Sequence, residues 1–242
     1  MGTKTDKSAF AVTVTTLLTF LIASRIGTIW ILYPNVLIAV SLFFYCVRQT
    51  DEDASLLSSS SIFGIATVLM YTPMDWLFSR KVHLIFYLRS DFFPNMTTPI
   101  VLILNWVVFA TLTAYFYQRL AVVCQTRFAS DPENPKSGLI GTTMLAAGVT
   151  GISAAIGSIT IYALGGLHLW QWNATQIDRI PQIASVPIFV PLAFLLTFLL
   201  CPYLFGVAGS FLREQHAGIA GIRCGIFIGA LQFLSFLLFF YA

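Results

Sequence analysis

Seven apolar stretches, joined by short segments and each at or near the length of a membrane span, leave this chain few ways to fold. A helix needs about 20 apolar residues to cross a hydrocarbon layer of roughly 30 Å, and inside that layer every backbone polar group must find its partner within the helix. The stretches run Ala9 to Ser24, Tyr33 to Val47, Leu57 to Phe78, Thr97 to Tyr117, Leu139 to Leu164, Val186 to Val207 and Ile219 to Tyr241. The first two are short and the segment between them, Arg25 to Leu32, is itself apolar, so their boundary can slide or the pair can form one broken helical hairpin. The expected count is seven, with six or eight as alternatives. Hydrophobic residues make up 57% of the chain and charged residues 10%, with a mean hydropathy of +0.83. No water-soluble core absorbs such a composition. The expected fold is an all-α, polytopic transmembrane bundle forming a single integral membrane domain over residues 1–242.

Charges at the helix ends set an orientation, because Lys and Arg collect on the cytoplasmic side. With seven spans, one side holds Lys4, Lys7, Arg48, Arg119, Arg127, Lys136, Arg213 and Arg223, eight in all, and the other holds five: Arg25, Arg80, Lys81, Arg89 and Arg179. A cytoplasmic N-terminus and an external or lumenal C-terminus follow. The start of the chain carries Lys4 and Lys7 without a compact apolar run and a small-residue cleavage site, which marks the first segment as a permanent helix. The net charge of +3 is accounted for by topology. A nucleic-acid partner is not expected, since that needs a basic stripe with interleaved aromatics on a soluble face.

The familiar catalytic and metal signatures are missing. Cys46, Cys124, Cys201 and Cys224 show neither paired spacing nor neighbouring histidines, so they are expected to be apolar filler, and no metal or cofactor is expected. There is no Gly-rich phosphate loop, no Gly-x-Ser-x-Gly and no His-x-x-x-His on a helix. Two glycosylation tripeptides, Asn95-Met96-Thr97 and Asn173-Ala174-Thr175, fall in loops assigned to the outer side.

One pattern occurs twice. His83-Leu84-Ile85-Phe86-Tyr87 leads to Pro99-Ile100 and an apolar helix, and His168-Leu169-Trp170-Gln171-Trp172 leads to Pro187-Ile188 and another. The histidines precede their prolines by 16 and 19 residues, a difference that loops tolerate easily. The pattern suggests two repeat units, residues 57–119 and 139–207, with sites at the repeat interface as in other duplicated membrane proteins. Upstream of His168 stand Ser158, Thr160 and Tyr162, but no carboxylate answers Asp75 of the first unit.

Polar groups at membrane depth are the primary functional candidates, because an ionisable side chain there is costly. Asp75, in Tyr71-Thr72-Pro73-Met74-Asp75-Trp76, is the one carboxylate placed within a predicted span. Helical spacing puts Tyr71, Thr72 and Ser79 on its face, and Pro73 frees a backbone carbonyl beside it. Such an acid is a candidate proton donor if no cation pairs with it, and a structural anchor if Arg80 or Arg25 does. Arg223 lies about one turn inside the last helix, where it either faces a polar stripe with Gly225, Gly229 and Gln232 or snorkels to the interface. Asn105 needs a partner and, beside Trp106, either lines a pocket or bonds a neighbouring helix. In the outer loops His83 and His168 are candidate proton shuttles. Trp76, Trp106, Trp170 and Tyr71 are rings that could steady a carbocation, while an interfacial aromatic belt explains many such residues equally.

A helix ending in an acid, a loop rich in aromatics and a Pro-Ile helix, with the whole unit used twice, resembles the membrane-bound carotenoid hydratases of the bacterioruberin and myxol type. It is more distantly similar to the small membrane lycopene cyclases, and in size and helix number to the integral-membrane terpene cyclases of fungal meroterpenoid pathways. The resemblance spans roughly Leu57 to Val207. It implies acid-initiated hydration or cyclisation at the end of a long isoprenoid, with Asp75 in the place of a family acid. The residues themselves then add Tyr71 and His83 as catalytic candidates and Trp76, Asn105, Trp106, His168, Trp170 and Arg223 as substrate-binding candidates. Two other classes stay open. One is a non-catalytic pigment- or lipid-binding subunit with membrane-protein partners, and the other is a small transporter.

Overall fold

The computed structural model describes residues 3–48, 53–92, 96–128, 135–204 and 214–241. The chain is all-α apart from two short β ribbons. Helix α1 (Lys4–Ile26) turns back into α2 (Leu32–Val47), and α3 (Ala54–Trp76) runs into a π-helical turn (Leu77–Lys81) and the strand β1 (Ile85–Tyr87). Then come α4 (Ile100–Phe128), α5 (Pro135–Gly165), β2 (Trp170–Trp172), the single turn α6 (Ala174–Ile177), β3 (Gln182–Ile183), β4 (Val186–Pro187), α7 (Phe189–Leu199), the short α8 (Cys201–Leu204) and α9 (Glu214–Tyr241).

Among the described residues five helices are long and apolar enough to cross a membrane: Lys4–Ile26, Ala54–Lys81, Ile100–Thr126, Gly141–Gly165 and His216–Tyr241. The other two expected spans correspond to shorter helices. Helix α2 has 16 residues and α7 only 11. The apolar stretch Val186 to Val207 is not one helix, because Val186 and Pro187 are drawn into a hairpin with Gln182 and Ile183. Ala184 and Ser185, both at positive φ, make its two-residue turn, whose twist matches that of the strands. The helix then stops at Leu199 and restarts at Cys201 with Pro202 in its first turn, where a missing N–H costs nothing. Residues 205–207 of the second expected repeat lie outside the described residues.

Helix ends are set by caps and polar partners more than by hydropathy. The Thr3 side chain accepts from the Asp6 N–H, and Gly27, at φ 73°, closes α1 with its N–H on the Ala23 carbonyl. The αL conformation there suits glycine. The first two segments are therefore two helices joined by a tight turn, with Arg25 inside α1 and Leu32 opening α2. Helix α4 runs past its expected end at Tyr117 because the next residues are provided for. Gln118 donates to Ser60 Oγ at 2.8 Å, and Arg119 makes ion pairs of 3.1 Å with Asp6 and 3.2 Å with Asp53.

Helix α3 is the central element, packed along both α4 and α9, while α5 packs on α4 and α7. Glycine makes the two α3 crossings close. A Cβ on Gly225 would lie 2.3 Å from the Thr67 carbonyl oxygen, one on Gly221 2.4 Å from that of Phe63, and one on Gly64 2.9 Å from that of Val107. These approaches depend on small residues, as is common where helices associate through van der Waals packing. Gly225→Ala is expected to destabilise the protein by roughly 1–3 kcal/mol through overpacking. Gly218→Ala, whose Cβ meets nothing within 4 Å, is expected to be neutral or stabilising by up to ~1 kcal/mol. Thermal unfolding of the two variants in the same detergent checks the contrast.

Candidate functional site

The two histidine-aromatic loops meet. Strands β1 and β2 pair antiparallel, with Ile85 opposite Trp172, Phe86 opposite Gln171 and Tyr87 opposite Trp170. The ribbon is extended by Leu88 N–H to the Leu169 carbonyl and by Asn173 N–H to the Leu84 carbonyl. Asn173 also caps the following turn and donates its side-chain amide to the His83 carbonyl at 2.8 Å. The tripeptide that begins with this residue thus serves the ribbon, and Asn95 of the other lies outside the described residues, as does Phe93 of the first loop.

Asp75 lies directly beneath the ribbon. Helix α3 and the π-helical turn that continues it carry Tyr71, Asp75 and Ser79 at four-residue spacing, and all three are buried. Asp75, 3% exposed, accepts from the Tyr87 hydroxyl at 2.8 Å and, on its other oxygen, from the Thr98 hydroxyl. Burial, with Asp75 beside it, holds the Tyr87 phenol well above the ordinary tyrosine range, so it remains a donor. Ser79 Oγ donates to the Asp75 carbonyl at 2.8 Å and lies 3.2 Å from Thr97 Oγ1. The partners of this acid are hydroxyls. Among the described residues the ion pairs are those of Arg119 with Asp6 and Asp53, and neither Arg80 nor Arg25 anchors Asp75 as the alternative reading required.

One turn deeper, Tyr71 donates to Gln232 Oε1 of α9 at 2.9 Å. Around these groups stand aromatic rings. Tyr162 is 5.6 Å from both Trp170 and Trp172, and Tyr87 is 6.3 Å from Trp170. Gly165 permits the first contact, since a Cβ there would fall 2.0 Å from the Trp170 ring.

Two cavities adjoin this cluster. A nook of about 10 Å³ is lined by Asp75, Tyr71, Tyr162, Trp172 and Gln232 together with apolar side chains. A cavity of about 330 Å³ opens between α1, α3, α4, α5 and α7, with Phe20, Trp106, Phe109, Phe194 and Phe198 among its walls. Tyr71 and Tyr162 line both.

The other predicted site residues divide clearly. Asn105 and Trp106 line the large cavity. Asn105 accepts from Asn35 Nδ2 at 3.0 Å, which in turn reaches Thr16, so it is also an interhelical bond. Trp106 meets Tyr71 edge to face at 5.5 Å, and Trp170 is buried behind Tyr87 and Tyr162. The rest are elsewhere. His83 is exposed, at φ 53°, and stacks on Phe86; His168 is exposed and its ring nitrogen sits 2.7 Å from the Ser24 carbonyl. Trp76 is 48% exposed under Lys81. Arg223 is exposed while Gly221, Gly225 and Gly229 of the same helix face α3, so the expected polar stripe is a packing face. Neither cavity is lined by any of these four.

Sequence reasoning singled out Gln232 only as part of that stripe, and passed over Thr98, Tyr162 and Trp172 as site residues. Tyr162 carried a signal, being a hydroxyl near the end of the helix that precedes the second loop. The four cysteines are buried, and no group of His, Cys, Asp and Glu fit for a metal occurs among the described residues. No family model, curated protein or solved structure matches the chain.

Removing one hydroxyl from Asp75 leaves an acceptor buried and short of a donor. Thr98→Val is expected to lower stability by roughly 1–3 kcal/mol, and Tyr87→Phe by a similar amount. Denaturant or thermal unfolding reports the loss, and in the double variant the two losses should not add.

Proposed function

We propose that the chain is an intramembrane enzyme that takes a long isoprenoid, carotenoid or terpenoid, into the large cavity and begins hydration or cyclisation of an alkene with a proton from Asp75. The observation that carries this reading is the shared wall: the apolar cavity and the nook of the buried acid are both bounded by Tyr71 and Tyr162. The cavity walls suit a lipophilic chain, which gains roughly 25 cal/mol for each Å² of apolar surface it buries. The shared tyrosines are the groups through which the proton reaches it, and the faces of Trp106 and Tyr71 stand where a developing cation would be steadied, by about 0.5–2 kcal/mol per ring. The ribbon overhead supports the exclusion of water that a carbocation requires.

In this reading α2 and α7 complete seven passes, the N-terminus is cytoplasmic, and the C-terminus and the β ribbon are external or lumenal. Two groupings support an alternation of helix directions. Asp6, Asp53 and Arg119 meet at one end, while Gly27, Arg89 and His168 come together at the other.

A second reading, a non-catalytic pigment- or lipid-binding subunit, is favoured by one observation. Asp75 ties α3 to Tyr87 and Thr98, a bond with structural value of its own. The transporter reading loses support for its polar path, because Arg223 is exposed, on the side of α9 away from α3.

Asp75→Asn is expected to abolish the product from the isoprenoid extract of the expressing host while the protein still accumulates in the membrane. An unchanged lipid profile with a pigment still copurifying would favour the subunit reading. Ala154→Leu, which adds side chain at a wall of the large cavity, is expected to reduce the copurifying lipophile, as measured by extraction and chromatography. For topology, an impermeant thiol reagent applied to intact cells should label Thr175→Cys at the exposed ribbon turn and spare Lys4→Cys.

A further inference from the structure

The nook beside Asp75 holds more donors than the protein satisfies. Gln232 is 1% exposed, and while its oxygen accepts from Tyr71, its Nε2 has no acceptor among the described residues. The Nε1 of Trp172, from strand β2, is likewise buried without one. Both residues line the nook, together with Asp75, Tyr71 and Tyr162. A buried donor left unmet costs roughly 1–3 kcal/mol, and two that border one polar space call for a shared acceptor. The nook, at about 10 Å³, is close to the size that admits a single water, which needs two to four polar partners. Any larger acceptor is excluded by Phe78, Leu84, Ile85, Phe189 and Val190 around it.

We propose that this nook is a water site, in which Gln232 Nε2 and Trp172 Nε1 donate to the water oxygen and the water donates to Asp75, and that this water is the nucleophile that ends the reaction. The second half rests on the catalytic reading above. Once Asp75 has given its proton to the alkene, its carboxylate accepts from the water. The water gives up the hydrogen bond from one of its two donors, the freed lone pair forms the bond to the cationic carbon, one O–H bond breaks, and that proton returns to Asp75. Alkene and water have become an alcohol, and the acid is restored. No oxidant or further reactant is needed. The arrangement selects hydration over proton loss when the cationic carbon reaches between Tyr71 and Tyr162, the residues common to the cavity and the nook, because the two donors hold the water at that opening.

Crystals of the full chain grown in a lipid mesophase, at a resolution that shows ordered water, test the site directly. The expected result is one density peak within hydrogen-bond distance of Gln232 Nε2 and Trp172 Nε1, lost in Gln232→Met, which removes the amide donor at nearly the same side-chain volume. A nook closed by side chains, or a peak that touches neither donor, overturns the site. The product test uses Trp172→Phe and, as an independent variant, Gln232→Met, with alcohol and alkene products measured side by side. A fall of roughly tenfold in the alcohol-to-alkene ratio is expected in both, the weight of about one lost hydrogen bond in a rate. An unchanged ratio in both overturns the reacting role. If Asp75→Asn still forms product, the catalytic reading falls and takes the reacting role with it, while the density decides the water site separately.

Discussion

A carboxyl group buried in an apolar bundle has to be met by donors, and at Asp75 those donors organise the end of the molecule around them. One arrives on a strand, Tyr87, and the other just ahead of a helix, Thr98. The acid therefore joins three pieces of chain that hydrophobic packing alone would leave free to slide, since apolar side chains attract without direction. Tyr87 brings β1, β1 brings β2 by backbone pairing, and β2 sets Trp170 and Trp172 against Tyr162. The geometry of the aromatic cluster is thus inherited from a single polar contact. Satisfied hydrogen bonds of this kind are worth more for the uniqueness of the arrangement than for its total stability.

The helices supply the frame by a different means. Along α3, close approach is made by glycines of α9 on one side and by Gly64 against α4 on the other, so the backbone atoms themselves are in contact. Between α1, α4 and α5 the side chains are larger and the packing leaves the wide cavity. The same bundle is tight where glycine allows it and open where aromatics hold helices apart. The acid sits at the boundary between these two regimes.

The helical frame was legible in hydropathy because burial in lipid demands long apolar runs: each of the seven runs contains helix among the described residues, and five of those helices are long enough to cross a membrane. Their ends were not, because they depend on single residues such as Thr3, Gly27 and Arg119 whose partners lie elsewhere. Asp75 and Tyr71 could be picked out from local spacing on one helix. Their partners could not: Gln232 is 161 residues from Tyr71, and nothing in a stretch of apolar sequence fixes which helices touch. The doubled histidine motif pointed to the right loops for a reason that concerned their neighbours. The histidines themselves sit outside, one at a left-handed backbone position and one against the end of α1, while the alternate residues that follow, Ile85 and Tyr87, Trp170 and Trp172, pair across the ribbon. A strand alternates its faces, so the informative residues were two and four places further on.

Helix α1 gives the cavity one of its walls through Thr13, Thr16, Leu17 and Phe20. Its opposite side carries Leu18 and Ile22, both exposed and apolar. The wall is one helix thick, with hydrocarbon-loving surface on both sides. A molecule dissolved in the bilayer would therefore reach the interior by sliding sideways past a single rod, without ever meeting the aqueous phase.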